Sequence, residues 1–72
     1  MTDLALTTTT LGERVRLYRN RANLTQRELA ELVGVSAHTV GQWESDLFCP
    51  SLHNLRVLAA HLGTRPGALL DD

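Results

Sequence analysis

Residues 36–45 contain small and polar side chains that would share one face of an α-helix. At about 100° per residue, this face consists of Ala37, His38, Gly41 and Gln42. The amide of Gln42 can make a paired hydrogen bond with an adenine edge, and His38 can donate to a guanine or a phosphate. The Ala37 methyl group can rest against a thymine methyl group, while Gly41 lets the backbone approach. The face therefore suits contact with base edges, although Ala37 and Gly41 taken alone could equally be ordinary surface positions.

The opposite face of the same segment is apolar, which predicts that it is buried. Val40 and Trp43 recur at the i, i+3 spacing of a helix, and Glu44 falls on the same side. Ser36 stands where an N-cap residue would begin the helix. The apolar side of this helix must be buried against another element of the fold.

The preceding residues predict that element as a short capped helix. Thr25 and Glu28 have the spacing of a capping box, in which each side chain satisfies a backbone N–H of the first turn. Leu24 and Leu29 complete a hydrophobic staple around it. Gly34 stands where a left-handed residue would end the helix.

The two helices also have a predicted crossing point. Ala30 is small where they should approach most closely, so Ala30, Gly34 and Val40 describe one packing unit. Val35 fills the corner between them. A capped helix, a glycine turn and a second capped helix form the layout of a helix-turn-helix that reads DNA.

Three further helices are predicted around this pair. Thr10 and Glu13 form another capping box at the start of helix one. Ser51 caps a helix that Gly63 ends, and Pro66 opens a last short helix. The apolar stripes of these segments are Leu11, Val15, Tyr18 and Ala22 in helix one, and Leu52, Leu55, Leu58, Ala59 and Leu62 in the fourth helix.

A chain of 72 residues is long enough for one small domain. We expect residues 10–72 to form it, as an all-α domain, and residues 1–9 to be a flexible N-terminal arm. Cys49 is the only cysteine, which excludes an internal disulfide and fits a reducing cytosol. Since no segment has the pattern of a membrane span or a signal peptide, we expect a cytoplasmic protein.

The formal net charge of −1 shows that the chain as a whole is not basic. Three of its eight acids lie at the termini, however, and residues 11–67 carry seven arginines against five acids, a local excess of two positive charges. The arginines that could contact phosphates are Arg14, Arg16, Arg21 and Arg27. Each of them could equally be a solvated surface residue.

Residue types suited to other chemistry do not have the spacing for it. His53 and His61 lie eight residues apart, Cys49 is isolated, and no paired metal-ligand motif occurs, so no metal site is expected. Cys49 has no histidine and acidic residue at a spacing that suggests a catalytic nucleophile with its base. The carboxylates stand at helix-capping positions, where hydrogen bonds to backbone N–H groups explain them. We therefore expect neither enzyme activity nor a cofactor or small-molecule ligand.

Over residues 11–70, the chain resembles the phage repressor and Cro type of helix-turn-helix protein, the XRE family. The family's first two helices resemble LGERVRLYRNRANLTQRELAELVGVS, its recognition helix resembles TVGQWE, and its closing pair resembles PSLHNLRVLAAHLGTRPGALL. The resemblance implies a lambda-repressor-like helix-turn-helix domain of five short helices. It also implies a nucleoid-associated protein that binds double-stranded DNA.

The resemblance further implies roles for individual residues. Ala37, His38 and Gln42 match base-reading positions, and Arg19 with Glu44 matches a pair that bridges the first and third helices in phage members. The backbone at Ser45 matches a position that meets the sugar-phosphate chain. Together with the charge pattern, the predicted phosphate contacts are Gln26, Arg27, Thr39, Ser45 and Arg14.

The loop after the recognition helix departs from the family pattern. Asp46 replaces a usual glycine and can adopt the left-handed backbone, while Leu47 and Phe48 replace polar residues. An exposed apolar patch on a small protein often marks a subunit contact, although Phe48 could instead pack on the core beside the fourth helix. The candidates for a dimer or partner contact are Leu47, Phe48, Leu69 and Leu70.

Two functions fit these observations. The first is a sequence-specific DNA-binding transcriptional regulator, a homodimer that presents two recognition helices one turn of DNA apart, about 34 Å, on a palindromic operator. The second is a protein-interaction module, or an adaptor that needs a further protein partner, in which Leu47 and Phe48 hold that partner. The capped helices and Gln42 favour the first function, whereas the near-neutral charge and the apolar loop favour the second.

Overall fold

Five α-helices account for most of residues 9–70, the part of the chain that the computed structural model describes. They are α1 Leu11–Arg21, α2 Gln26–Val33, α3 Ala37–Glu44, α4 Leu52–His61 and α5 Pro66–Leu70. No β-strand occurs among the described residues, and the expected all-α fold of five short helices is confirmed. The predicted arm, residues 1–9, lies outside the described residues except for Thr9.

Capping boxes begin α1 and α2, as the sequence predicted. The Thr10 hydroxyl accepts a hydrogen bond from Glu13 N at 3.1 Å, and Glu13 Oε1 accepts one from Thr10 N at 3.0 Å. Thr25 and Glu28 repeat this arrangement at 3.0 and 2.8 Å. Each box satisfies two backbone N–H groups that have no partner within the helix, so both helices begin at a defined residue.

Serine caps and left-handed residues define the other helix ends. The hydroxyls of Ser36 and Ser51 each accept from the N–H three residues ahead at 3.1 Å, at the starts of α3 and α4. Gly34 ends α2 with a φ of 88°, and Gly63 follows α4 with a φ of 72°, a region that glycine occupies without strain. These four positions were predicted. Asn23, which has a φ of 60° between α1 and α2, was not.

The recognition-helix candidate α3 packs against both α2 and α1, while α5 closes the domain against α4 and α1. The connection between α2 and α3 is the short turn from Gly34 to Ser36, so the two helices form the predicted helix-turn-helix pair. The core of the described residues is built mostly from aliphatic side chains. Its buried members are Val15, Leu29, Ala30, Val40, Trp43, Leu55, Leu58, Ala59, Leu62 and Leu69.

Three positions differ from the predicted core and surface. Leu52 is 60% exposed because it opens the first turn of α4, and Ala22 is exposed because α1 ends before it. The prediction that Leu69 contacts a second subunit or partner is wrong, since this side chain is fully buried in the core. Packing of α5 turns Leu69 inward and leaves Leu70 53% exposed.

Candidate nucleic-acid interface

Helix α3 has one buried side and one open side. Val40 is fully buried and Trp43 is 4% exposed, whereas His38 is exposed and Gln42 is half-buried. An open groove of about 350 Å³ follows the second side. It is lined by Gln26, Ala37, His38, Gly41, Gln42, Ser45 and Leu47. The fold therefore brings the four predicted base-contacting residues together along one groove.

A buried ion pair fixes α3 against α1. Arg19 Nε donates to Glu44 Oε2 at 2.6 Å and Arg19 Nη2 donates to Glu44 Oε1 at 3.1 Å, with the two side chains 11% and 4% exposed. Arg19 Nη1 also donates to the carbonyl oxygen of Leu24 at 2.8 Å, just before α2. This is the bridge that the family resemblance implied. Its two parallel hydrogen bonds hold the helices in a defined orientation as well as at a defined distance.

Gln26, the first residue of α2, connects this ion pair to the groove. Its Nε2 donates to Glu44 Oε1 at 3.0 Å, and both of its amide atoms lie 3.8 Å from where a Cβ at Gly41 would stand. The helix N-terminus beside it carries N–H groups that favour an anion. The predicted phosphate contact at Gln26 is thus directly beside the open side of α3.

The other predicted phosphate contacts are distributed around the groove. Ser45 lines it, whereas Thr39, Arg27 and Arg14 do not. The Thr39 hydroxyl shares a 3.0 Å hydrogen bond with the hydroxyl of the α3 N-cap serine. Arg27 is exposed on the first turn of α2, and Arg14 is half-buried on α1. Thr39, Arg27 and Arg14 could therefore contact only the periphery of a ligand that is bound in the groove.

Asp46 holds the loop that follows α3. It has a φ of 65°, and its N–H donates to the carbonyl oxygen of Trp43 at 3.1 Å, so the expected left-handed backbone is confirmed. Its carboxylate Oδ1 accepts a hydrogen bond from Gly12 N at 3.0 Å, a contact with α1 that was not predicted. One residue later, Leu47 N donates to Gln42 O at 3.0 Å. The loop is therefore attached both to α1 and to the end of α3.

Gly12 positions α3, and sequence analysis missed it. It is buried in the first turn of α1. A Cβ at this residue would lie 2.6 Å from Glu44 O, 2.8 Å from Asp46 Oδ1 and closer still to Trp43 O. Glycine thus permits α1 to approach the C-terminal end of α3. The available signal was a glycine inside a predicted helix, where it is otherwise unfavourable.

Replacing Gly12 with alanine is expected to lower the free energy of unfolding by about 1–3 kcal/mol, because the backbone atoms that it would meet cannot rotate aside. Gly41→Ala is the matched control. Its Cβ would meet only the Gln26 side chain, at 3.8 Å, so the helical preference of alanine should raise stability by about 0.5–1 kcal/mol. Urea unfolding followed by circular dichroism measures both changes. Equal effects of the two substitutions would contradict a close approach at Gly12.

The exposed candidates for a subunit contact lie in two different places, one at the groove beside α3 and the others outside it. Phe48 is 62% exposed, so the alternative in which it packs on the core is wrong. Leu47 is 69% exposed and lines the groove beside α3, whereas Phe48 and Leu70 are not among the groove residues. Two neighbouring apolar residues of the loop therefore face different surroundings.

Residues 9–70 contain neither a candidate metal site nor a membrane-spanning helix. No group of three or more histidine, cysteine, aspartate and glutamate side chains in this range could hold a metal ion. None of the helices in the same range combines the length and the apolar character needed to cross a membrane. Cys49 is a free, exposed thiol.

A helix-turn-helix family model matches residues 15–69, which is most of the chain. The chain belongs to the XRE-type helix-turn-helix family. The matched range contains α2, α3 and α4 in full, together with seven of the eleven residues of α1 and four of the five residues of α5. The family membership that the sequence suggested is therefore confirmed.

Two phage repressors are among the curated relatives of this XRE-type chain. It is 33% identical over 63 residues to the immunity repressor protein of Bacillus phage phi105, with 88% of this chain and 44% of the relative covered. It is 35% identical over 65 residues to repressor protein C2 of Salmonella phage P22, with 90% of this chain and 30% of the relative covered. The chain thus spans less than half the length of either relative.

The XRE-type fold is also found in similar solved structures. A crystal structure of the P22 c2 repressor in complex with synthetic operator 9T matches with a TM-score of 0.85 and 36% sequence identity. The match covers 88% of this chain and 96% of that chain. The expected lambda-repressor-like arrangement of the helices is therefore confirmed at the level of the whole domain.

Proposed function

We propose that this protein is a sequence-specific DNA-binding transcriptional regulator that inserts α3 into the major groove. The relatives named repressor, at 33% and 35% identity, support this proposal. A regulator of this kind acts by occupying an operator, so that polymerase is blocked or recruited. It would work in the cytoplasm at the nucleoid, and no catalytic step is part of the proposal.

The observation that carries the proposal is the division of α3 into two sides. Val40 and Trp43 anchor it in the core, and the ion pair between Arg19 and Glu44 fixes its orientation. The other side of the helix lines an open groove and carries the exposed side chain of His38. The residues proposed to make base contacts are Ala37, His38, Gly41 and Gln42.

Phosphate contacts would then set the position of α3 on the duplex. Gln26 at the N-terminus of α2 and Ser45 beside the groove are placed next to the base-contacting residues. Arg27, Thr39 and Arg14 complete the proposed set at the rim. The local excess of two positive charges in residues 11–67 supports attraction to the duplex.

A second copy of the chain is the proposed partner on DNA. Half-sites about 34 Å apart require two recognition helices, and each copy supplies one. Phe48 and Leu70, which are 62% and 53% exposed, are the apolar residues available for a two-fold contact outside the groove. Their burial in a dimer would remove apolar surface from water.

The alternative function is a protein-interaction module that binds DNA weakly or only with a partner's help. It is favoured by the net charge of −1 and by the exposed apolar residues Leu47, Phe48 and Leu52. Selection of genomic fragments by the purified protein, followed by footprinting at two salt concentrations, separates the two functions. A palindromic footprint with half-sites one turn apart supports the regulator. An absence of preference among duplexes at low ionic strength would favour the interaction module.

Gln42→Ala is expected to weaken operator binding by about 1–3 kcal/mol and to relax the preference at one base pair, because a bidentate contact is lost. Gln26→Ala is the matched control, since it removes the same amide from a proposed phosphate contact. It should weaken binding to all duplexes alike. Competition binding with every single-base variant of the selected operator measures both effects. A uniform loss for Gln42→Ala would show that Gln42 does not contact a base.

A further inference from the structure

Leu47 is an apolar side chain at the open groove of α3. It is 69% exposed and lines the same groove as Ala37 and Gln42. Water surrounds most of this side chain in the free protein, and removing such apolar surface from water is favourable. A ligand that fills this groove would cover Leu47 as well as the polar residues.

The position of Leu47 relative to α3 is fixed by its own backbone. Its N–H donates to Gln42 O at 3.0 Å, and the residue before it is held in the left-handed conformation. The carboxylate of that residue, Asp46, accepts from Gly12 N at 3.0 Å and so ties the loop to α1. Because the backbone is held in this way, Leu47 occupies a defined register along α3, as base readout requires.

The thymine C5-methyl group is the apolar group that distinguishes base pairs in the major groove. We propose that Leu47 contacts a thymine methyl group and so makes this regulator select an A·T pair in each half-site, in addition to the pair that Gln42 selects. The inference rests on the proposed function, because it places the DNA major groove over α3. It assigns Leu47 to the DNA instead of the subunit contact proposed for Phe48 and Leu70.

Deoxyuridine provides a direct test, since it differs from thymidine only by the missing methyl group. The selected operator is made with each thymine replaced in turn, and dissociation constants are measured for the unmodified protein and for Leu47→Ala. One replacement in each half-site is expected to weaken binding of the unmodified protein about three- to fivefold, the effect of burying one methyl group. The same replacement should change binding of Leu47→Ala less than twofold.

Two control variants identify the residue responsible. Leu52→Ala also shortens an exposed leucine, but this leucine is not among the groove residues, so it should keep the full response to deoxyuridine. Ala37→Gly tests the other methyl-bearing residue of the groove and should keep the response at the thymine assigned to Leu47.

Three results would overturn the inference about Leu47. The first is a deoxyuridine response that survives in Leu47→Ala, and the second is one that disappears in Ala37→Gly instead. The third is that Leu47→Ala binds all duplexes with equally reduced affinity and that its free dimer dissociates in sedimentation. This result would place Leu47 at the subunit contact. In each case a selected operator that still depends on Gln42 would leave the proposed function standing. If the unmodified protein selects no operator, the proposed function fails too.

Discussion

Trp43→Ala is expected to lower the free energy of unfolding by about 3–5 kcal/mol, the usual cost of truncating a buried large aromatic side chain. Trp43 is 4% exposed and lies on the side of α3 that faces the core. The total stability of a domain of this length is roughly 4–11 kcal/mol, so this loss is a large share of it and should lower the urea midpoint of unfolding strongly. Because Trp43 is the only tryptophan, circular dichroism rather than fluorescence should follow the unfolding.

Phe48→Ala is the matched control for this prediction. It also removes an aromatic ring, but Phe48 is 62% exposed, so the expected change is within about 0.5 kcal/mol. The comparison should be made at low protein concentration, where a subunit contact of Phe48 would not add to stability. Equal unfolding curves for the two variants would mean that α3 does not bury the side assigned to it.

Arg19→Met is expected to destabilise the domain by about 3–5 kcal/mol, because it leaves the carboxylate of Glu44 buried without its counter-charge. Glu44 is 7% exposed and would keep only the hydrogen bond from Gln26 among the side-chain contacts described for it. The loss should reduce DNA binding as well, since α3 would no longer be held against α1. Chemical denaturation measures the first effect, and titration with the selected operator at a temperature where the variant is folded measures the second.

Two variants show whether the ion pair is the cause. Arg16→Met makes the same change at an exposed position of α1 and should alter stability by less than about 0.5 kcal/mol. Adding Glu44→Gln to Arg19→Met removes the buried charge and should restore a large part of the lost stability. If Arg19→Met were as stable as Arg16→Met, the pair would not fix α3.

The helix boundaries and the orientation of α3 could be predicted because their causes lie within a few residues. The Thr10 and Thr25 boxes and the Ser36 cap each involve atoms three residues apart. Gly34 marks its turn by its own backbone freedom. The spacing of Val40 and Trp43 indicates which side of the helix is buried. Signals of this kind need no knowledge of the rest of the fold.

Apolar periodicity was less informative at the ends of helices. Leu52 continues the spacing of the α4 stripe, but it lies in the first turn and is exposed. Leu69 and Leu70 are adjacent leucines in a five-residue helix, so the pattern does not say which of them is buried. That choice depends on how α5 packs against α1 and α4, which no local pattern records.

The contacts that set the geometry of the groove join residues far apart in the chain. Asp46 meets Gly12, and Gln26 meets Glu44, through side-chain hydrogen bonds that depend on the packing of whole helices. The pair of Arg19 with Glu44 was expected only because of the family resemblance. Leu47 and Phe48 are neighbours in the sequence and were therefore predicted to share one contact. Because the groove is formed by residues far apart in the chain, the sequence did not show that Leu47 lines it and Phe48 does not.

The buried ion pair between α1 and α3 also bears on how dissolved ions act on this protein. Mobile ions screen charges on the surface far more than charges removed from water, so the bridge between Arg19 and Glu44 is sheltered from them. The attraction between surface arginines and the phosphates of a duplex is screened by salt, and the binding constant falls steeply as the salt concentration rises. Raised ionic strength would therefore detach the domain from a duplex while α3 kept its position in the fold.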